Sequence, residues 1–452
     1  MNMTWKTEWT KWSTHSELSS ELKKQMNEMT QREREDAFYK QLEFGTGGMR
    51  GELGAGPNRM NIYTIRKVTA GLATYTEENG TEAKQRGVAI AYDSRHGSAE
   101  FALEAAKTLG AHGIKSYVFQ ELRPTPELSF AVRYLRAYAG IMITASHNPS
   151  EYNGYKVYGE DGAQLPPTAA DVIVMHMKKI ENELLREVKD ERELLSQNLV
   201  SYIGENLDQV YLGYVKGLQL NNNVAKTNLP IVYTPLHGTG QTLVPQALQN
   251  AGFQHITIVD EQRNPDPNFS TVSSPNPEES YGYLIGDFVR DKDAVQAAVM
   301  IAEAAAYYKQ KRMTLYDGLT QPYETYGYYK ESLTSFTLKG KDGAEQISRI
   351  VNRFREHPPT EIAGAAVEKI EDYQSRKRMN LLTAQQETMD LPSSNVLKFW
   401  LQDGSWFAIR PSGTEPKVKF YFGVKQGTNR ESEERLKEME TNVINMVESI
   451  IY

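Results

Sequence analysis

Two stretches of this chain repeat one another. Residues 88–119 read VAIAYDSRHGSAEFALEAAKTLGAHGIKSYVF and residues 230–260 read PIVYTPLHGTGQTLVPQALQNAGFQHITIVD; Tyr92, His96, Gly97 and Ser98 meet Tyr233, His237, Gly238 and Thr239 at one constant offset. Each copy runs from an apolar strand through a polar turn into an amphipathic helix, a glycine-bearing stop and a second strand. Parallel strands need a crossover of about that length, so the duplication predicts parallel or mixed sheets covered by helices and an α/β fold class. A charged stretch at 168–197, expected to be helical, separates the two copies.

The last hundred or so residues have another texture. A helix is expected near 344–356, then a β-rich run at 361–370. VLKFWLQDGSWFAIR alternates about Asp403-Gly404 as a hairpin does, KVKFYFGV alternates again, and a charged helix follows from Glu431 to Ile450. This predicts a separate α+β domain. Between 280 and 340 the sequence shows one helix, at about 292–310, and a Tyr-rich tail.

Composition narrows the function. A chain of 452 residues has room for roughly two to four domains. Its net charge of −7 disfavours a broad nucleic-acid face while allowing a local basic pocket. With no cysteine, disulfides, thiolate catalysis and Cys-ligated metals are excluded. The N-terminus lacks a signal-peptide core, and the longest apolar-rich run, Ala297 to Tyr308, is too short to span a bilayer. A soluble cytoplasmic protein with no membrane partner is expected.

Three loops carry candidate chemistry. TASHNP, Thr144 to Pro149, follows an apolar run and precedes NGYK, so Ser146 would be lifted from a strand end beside His147 and near Lys156. Such a hydroxyl suits a group that is accepted and passed on, although a Pro-flanked turn contains the same residue types for purely structural reasons. RPSGTEP, Arg410 to Pro416, sits between two expected strands, and Arg410, Ser412, Gly413 and Thr414 suit an anion nest. FGTGGMRG, Phe44 to Gly51, offers glycines for close approach and Arg50 as a cation, but has neither nucleotide-loop spacing. His96 and His237 repeat with the duplication and read as scaffold. Asp287, Asp291 and Asp293 run into a helix and read as caps.

Taken in order, FGTGGMRG, YDSRHGS, TASHNP with NGYK, PLHGTG, EESYGYL and RPSGTEP resemble the α-D-phosphohexomutases of the bacterial phosphoglucomutase/phosphomannomutase type, over nearly the whole chain. The resemblance implies repeated mixed-sheet α/β domains around a central cleft plus a C-terminal α+β domain. It implies reversible phosphoryl transfer between O1 and O6 of a hexose phosphate, glucose 1-phosphate and glucose 6-phosphate first, through phosphorylated Ser146. His147, Arg50 and Lys156 would surround the phosphoryl group, Lys156 as proton shuttle. Glu279 and Ser280 would grip the sugar, and Arg410, Ser412, Gly413 and Thr414 the distal phosphate. Mg²⁺ would contact a phosphoryl oxygen on Ser146, and a hexose 1,6-bisphosphate would be the activating intermediate. The implied division is 1–200, 201–279, 280–342 and 343–452, the middle two incomplete.

One part of the family pattern is absent. No Asp-Gly/Pro-Asp-x-Asp-Arg segment, the family's metal loop, occurs in this sequence. At 277–280 the text passes from second-domain residues straight into the sugar loop, as though roughly a hundred residues, a domain's worth, were missing. Either the segment is deleted, or this chain records the ordered part of a longer protein; the second is expected, because a half-removed core conflicts with otherwise intact motifs. A true deletion would leave a noncatalytic phosphosugar-binding protein as the alternative function. A serine phosphatase is disfavoured by two separate phosphate loops.

Overall fold

The computed structural model describes residues 5–45, 47–221, 223, 228–276, 282–338, 340–412 and 417–451. The chain divides into two compact units, Met1–Arg312 and Met313–Tyr452. Both mix helices and sheet, as the duplication and the C-terminal hairpin predict.

The first unit is built on a six-stranded sheet. Its strands are β1 (Met49–Glu52), β2 (Val88–Tyr92), β3 (Ser116–Phe119), β4 (Ala139–Ile143), β5 (Tyr152–Tyr158) and β6 (Val200–Ile203), in spatial order β1-β5-β4-β2-β3-β6. β4, β2, β3 and β6 are parallel; β5 and β1 are added antiparallel. Successive residues of β2 enter different cores: Val88 and Ile90 pack on one face, Ala89 and Ala91 on the other. A strand buried on both sides reads as an unbroken apolar run, which is why VAIAY shows no alternation. The charged stretch at 168–197 forms two α-helices, Pro167–Lys178 and Glu191–Ser196, with a 3-10 turn at Glu183–Leu185 between them, and the sequence boundary at 200 falls inside β6, which hydrogen-bonds β3 and so belongs to this sheet.

The second copy has much less sheet. β7 (Ile231–Tyr233) and β8 (Ile256–Ile258) make one short parallel pair, and Val232 is 70% exposed. Its helix Gly240–Asn250, with the flanking helices Glu205–Gly217 and Ala294–Gln310, buries Tyr211, Leu243, Val244, Val295 and Val299 in one cluster with Leu128 and Phe130 of the helix Thr125–Tyr134 that follows the first copy. Helical packing against the neighbour therefore supplies the core that two strands cannot. The expected join at 277–280, and with it the continuity of the chain there, lies outside the described residues.

The second unit holds an eight-stranded sheet. β9 (Tyr328–Thr337), β10 (Glu361–Ile362), β11 (Ala365–Asp372), β12 (Lys377–Asn380), β13 (Gln386–Thr388), β14 (Leu397–Leu401), β15 (Trp406–Pro411) and β16 (Lys417–Gln426) follow the order β13-β12-β11-β14-β15-β16-β9, with β10 paired to β11. The expected hairpin is present: β14 and β15 are antiparallel, and Gly404 turns the chain at φ 81°. The helices Gly340–Glu356 and Asn429–Ile451 contribute Ile350, Phe354, Met439 and Val443 to a core with Phe399, Phe407, Phe420 and Phe422 of the sheet. The Tyr-rich tail forms a helix, Leu315–Tyr326, and then β9, an edge strand antiparallel to β16 along its whole length. Its residues alternate because one face meets the terminal helix, where Ser332 donates to Glu440.

Candidate active site

β4 ends at Ile143, and the next residues turn sharply. Thr144 Oγ1 accepts a hydrogen bond from the Ser146 amide at 2.9 Å, and Ser146 sits at φ 53°, a left-handed conformation that costs a non-glycine residue free energy. Backbone strain of this kind persists when surrounding bonds over-determine it. Here Arg95, at the carboxyl end of β2, donates to the carbonyls of Ser146 (2.8 Å), Asn148, Pro149 (2.6 Å) and Tyr152 (3.1 Å). Asp93 lies 3.3 Å from Arg95 and accepts from Ser98 Oγ at 2.7 Å. Burial raises the Asp93 pKa, and Arg95, Ser98 and Thr144 pull it back down.

β5 brings the cation. Lys156, opposite Met142 in the antiparallel register, donates from Nζ to Ser146 Oγ at 2.9 Å; Ser146 is 5% exposed and Lys156 2% exposed. Two residues earlier, Gly154 faces Arg50 of β1. A Cβ at Gly154 would lie 2.5 Å from the Thr144 carbonyl oxygen and 3.0 Å from Arg50 Cγ, so only glycine lets the arginine stem cross there. Arg50 and Lys156 thus share a sheet face, because residues two apart on a strand point the same way. Arg50 Nε is buried without a hydrogen-bond partner, a donor suited to an anion. His147 is exposed beside them. The expected grouping of Arg50, Ser146, His147 and Lys156 is therefore local to one sheet edge. FGTGGMRG contributes through a strand rather than a loop, since Arg50 lies within β1.

In the second unit, Arg410 occupies the end of β15 opposite Lys419 and is exposed, and the Ser412 amide donates to the Lys417 carbonyl at 2.8 Å. Gly413 and Thr414, and likewise Glu279 and Ser280, lie outside the described residues.

The Mg²⁺ implied by the resemblance does not fit the donors found among the described residues. No three His, Asp or Glu side chains converge to hold a metal among the described residues, and Asp93 beneath the serine loop is already engaged by Arg95 and Ser98. Of the three aspartates read as caps, only Asp293 caps, accepting from the Val295 and Gln296 amides; the helix starts at Ala294, out of reach of the others. Asp291 instead accepts from Tyr158 at 2.7 Å, and the Asp287 carbonyl accepts from Arg133. The repeated histidines sit just before their helices: His237 contacts the Asn264 carbonyl at 2.8 Å and Thr271 Oγ1 at 2.7 Å, and His96 contacts Asn268 Oδ1 at 2.8 Å. Arg95 and Asp93 were missed as site residues. Their sequence signals are the YDSRHGS motif that holds them and their position, since groups at the carboxyl ends of parallel strands line the crevice where such folds bind ligands.

A strained serine held by a buried lysine at a strand end, on a duplicated α/β scaffold, is an arrangement chemically suited to group transfer. Residues 41–184, 209–303 and 352–443 match, respectively, domain I, domain II and the C-terminal domain of phosphoglucomutase/phosphomannomutase. A phosphoglucomutase of Staphylococcus haemolyticus is 31% identical over 509 aligned positions, covering 86% of this chain and 91% of that protein. A phosphoglucomutase of Staphylococcus aureus is 33% identical, covering 87% and 91%. In fold, the chain is similar to the open form of pp63/parafusin, a phosphoglucomutase from Paramecium, with TM-score 0.59 at 14% identity, over 91% of this chain and 95% of that one. The chain belongs to the phosphoglucomutase/phosphomannomutase family, a family of phosphosugar-mutase isomerases. The alignment of 509 positions is longer than the 452-residue chain, so the relative carries residues that this chain lacks. Among the described residues no helix is long and apolar enough to cross a membrane.

Proposed function

We propose that this protein interconverts glucose 1-phosphate and glucose 6-phosphate by passing a phosphoryl group through Ser146. The carrying observation is the 2.9 Å hydrogen bond from Lys156 Nζ to Ser146 Oγ. When a phosphoryl group leaves Ser146, the P–Oγ bond breaks while a P–O bond forms to the sugar hydroxyl. Oγ then needs a proton, and Lys156 is its donor; the hydroxyl's proton we assign to His147. On return, Lys156 takes the proton back as Oγ attacks. Arg50 would meet charge on the equatorial oxygens, as phosphoryl transfer requires. Arg410, Ser412, Gly413 and Thr414 would hold the second phosphate, with Glu279 and Ser280 on the sugar. The glucose preference rests on the relatives being phosphoglucomutases.

Incubation with glucose 1,6-bisphosphate should label Ser146, as read by phosphopeptide mapping, and the protein should convert glucose 1-phosphate to glucose 6-phosphate. Label on another serine, or undiminished turnover by Ser146→Ala, overturns the reading. Glucose 6-phosphate binding without any label would instead identify a noncatalytic phosphosugar-binding protein.

A further inference from the structure

The clamp on the serine loop is closed by the second α/β copy. Arg95 donates from its two terminal nitrogens to four carbonyls of residues 146–152, and its Nε pairs in charge with Asp93 at 3.3 Å. The guanidinium also lies over the ring of Phe269, whose centroid is 5.2 Å from the guanidinium carbon. Phe269 is 2% exposed and sits at φ 52°, an outlier for a bulky residue. The strain is imposed by the turn that carries it. Asp266 accepts from the Asn268 and Ser270 amides at 2.9 Å, bonds that hold its pKa down at about 2, and the Phe269 amide donates back to the Asp266 carbonyl. Both duplicated histidines hold this turn: His237 through Asn264 and Thr271 at its ends, and His96 through Asn268.

We infer that Phe269 is a positioning residue for Ser146: residues 264–272 of the second copy press an aromatic face on Arg95 and so keep the serine loop in its strained, reactive conformation. A cation desolvated against a ring face holds its place more firmly than one facing water. One guanidinium thus joins four carbonyls spread over residues 146–152, so the arrangement of that segment is tied to the place of Arg95. The duplicated histidines thereby acquire different tasks in one device. The consequence is functional coupling: the sheet-poor second copy matters to the reaction through one ring.

The inference concerns the site read above as the phosphoryl carrier, and the test separates the two. Hydrogen exchange of the full chain is followed in Phe269→Leu, which keeps bulk but removes the ring face, and in Phe269→Tyr, which keeps it. In the Leu variant, amides at 145–152 should exchange about tenfold faster while those of β2 and β4 are unchanged, and Ser146 labelling by glucose 1,6-bisphosphate should slow by a similar factor; Tyr should restore both. Loop exchange unaltered in the Leu variant, or raised equally throughout β2 and β4, overturns the inference. Loop-specific exchange that behaves as expected while the parent protein takes no label leaves the positioning role standing and removes only the phosphoserine.

Discussion

Lys156 Nζ lies 2.9 Å from Ser146 Oγ, across the junction where β5 runs beside the loop that leaves β4. The antiparallel register sets this pairing: Lys156 faces Met142, and the Thr144 amide donates to the Gly154 carbonyl, so the lysine side chain reaches back over the turn. In the proposed transfer a buried ammonium at that distance would neutralise charge developing on Ser146 Oγ.

Lys156→Met should keep the bulk of the side chain and lose the proton donor. We expect kcat to fall by roughly 10²- to 10⁴-fold, the usual worth of a positioned acid–base group. The Michaelis constant for the sugar phosphate should change little. A kcat within threefold of the parent, measured as glucose 6-phosphate formation, would remove Lys156 from the transfer step.

Arg410 tests the distal phosphate. It is exposed at the end of a strand, so Arg410→Ala should leave the melting temperature unchanged. Substrate binding should weaken roughly ten- to a hundredfold, equivalent to the loss of a charge-assisted contact of about 1.5–3 kcal/mol. An unaltered dissociation constant in a well-folded variant refutes the clamp.

The pH dependence of stability has a buried source. Glu127 is fully buried, and desolvation first, then the charge of Asp208, raises its pKa well above 4.5, the value expected of the unfolded chain. The folded protein therefore holds this proton more tightly than the unfolded one. The stability it contributes is complete below about pH 4.5 and is lost as pH rises through the folded value. Glu127→Gln mimics the protonated acid and removes the ionisation. Melting temperature should fall less steeply with rising pH in the variant than in the parent. Parallel curves would show that Glu127 ionises alike in both states.

Metal dependence follows from the donor set. No cluster of three His, Asp or Glu side chains able to hold a metal occurs among the described residues, so in the proposed transfer charge on the phosphoryl would fall to Lys156 and Arg50. Turnover should be slow for this family, and a chelator should leave it unchanged. A rate that collapses with chelator and recovers with Mg²⁺ would place metal ligands in residues beyond those described.

Local patterns made much of this legible. The repeated Tyr-x₃-His-Gly spacing predicts strand–turn–helix units because each feature acts within a few residues, and Asp403-Gly404 predicts its hairpin for the same reason. Ser146 and Lys156 are only ten positions apart, so one antiparallel turn brings them together, and the sequence by itself determined that pair. The place of β9 was not readable. An alternating strand states which side chains share a face but not which strand accepts its backbone, and that choice was made by β16, some ninety residues on. The clamp was hidden for a related reason. Arg95 serves backbone carbonyls, which carry no sequence signature, and Phe269 reaches it from a turn in the other copy. Residue chemistry and spacing decided what the serine loop contains; tertiary packing decided what holds it still, because a guanidinium finds its partners by direction in space and not by distance along the chain.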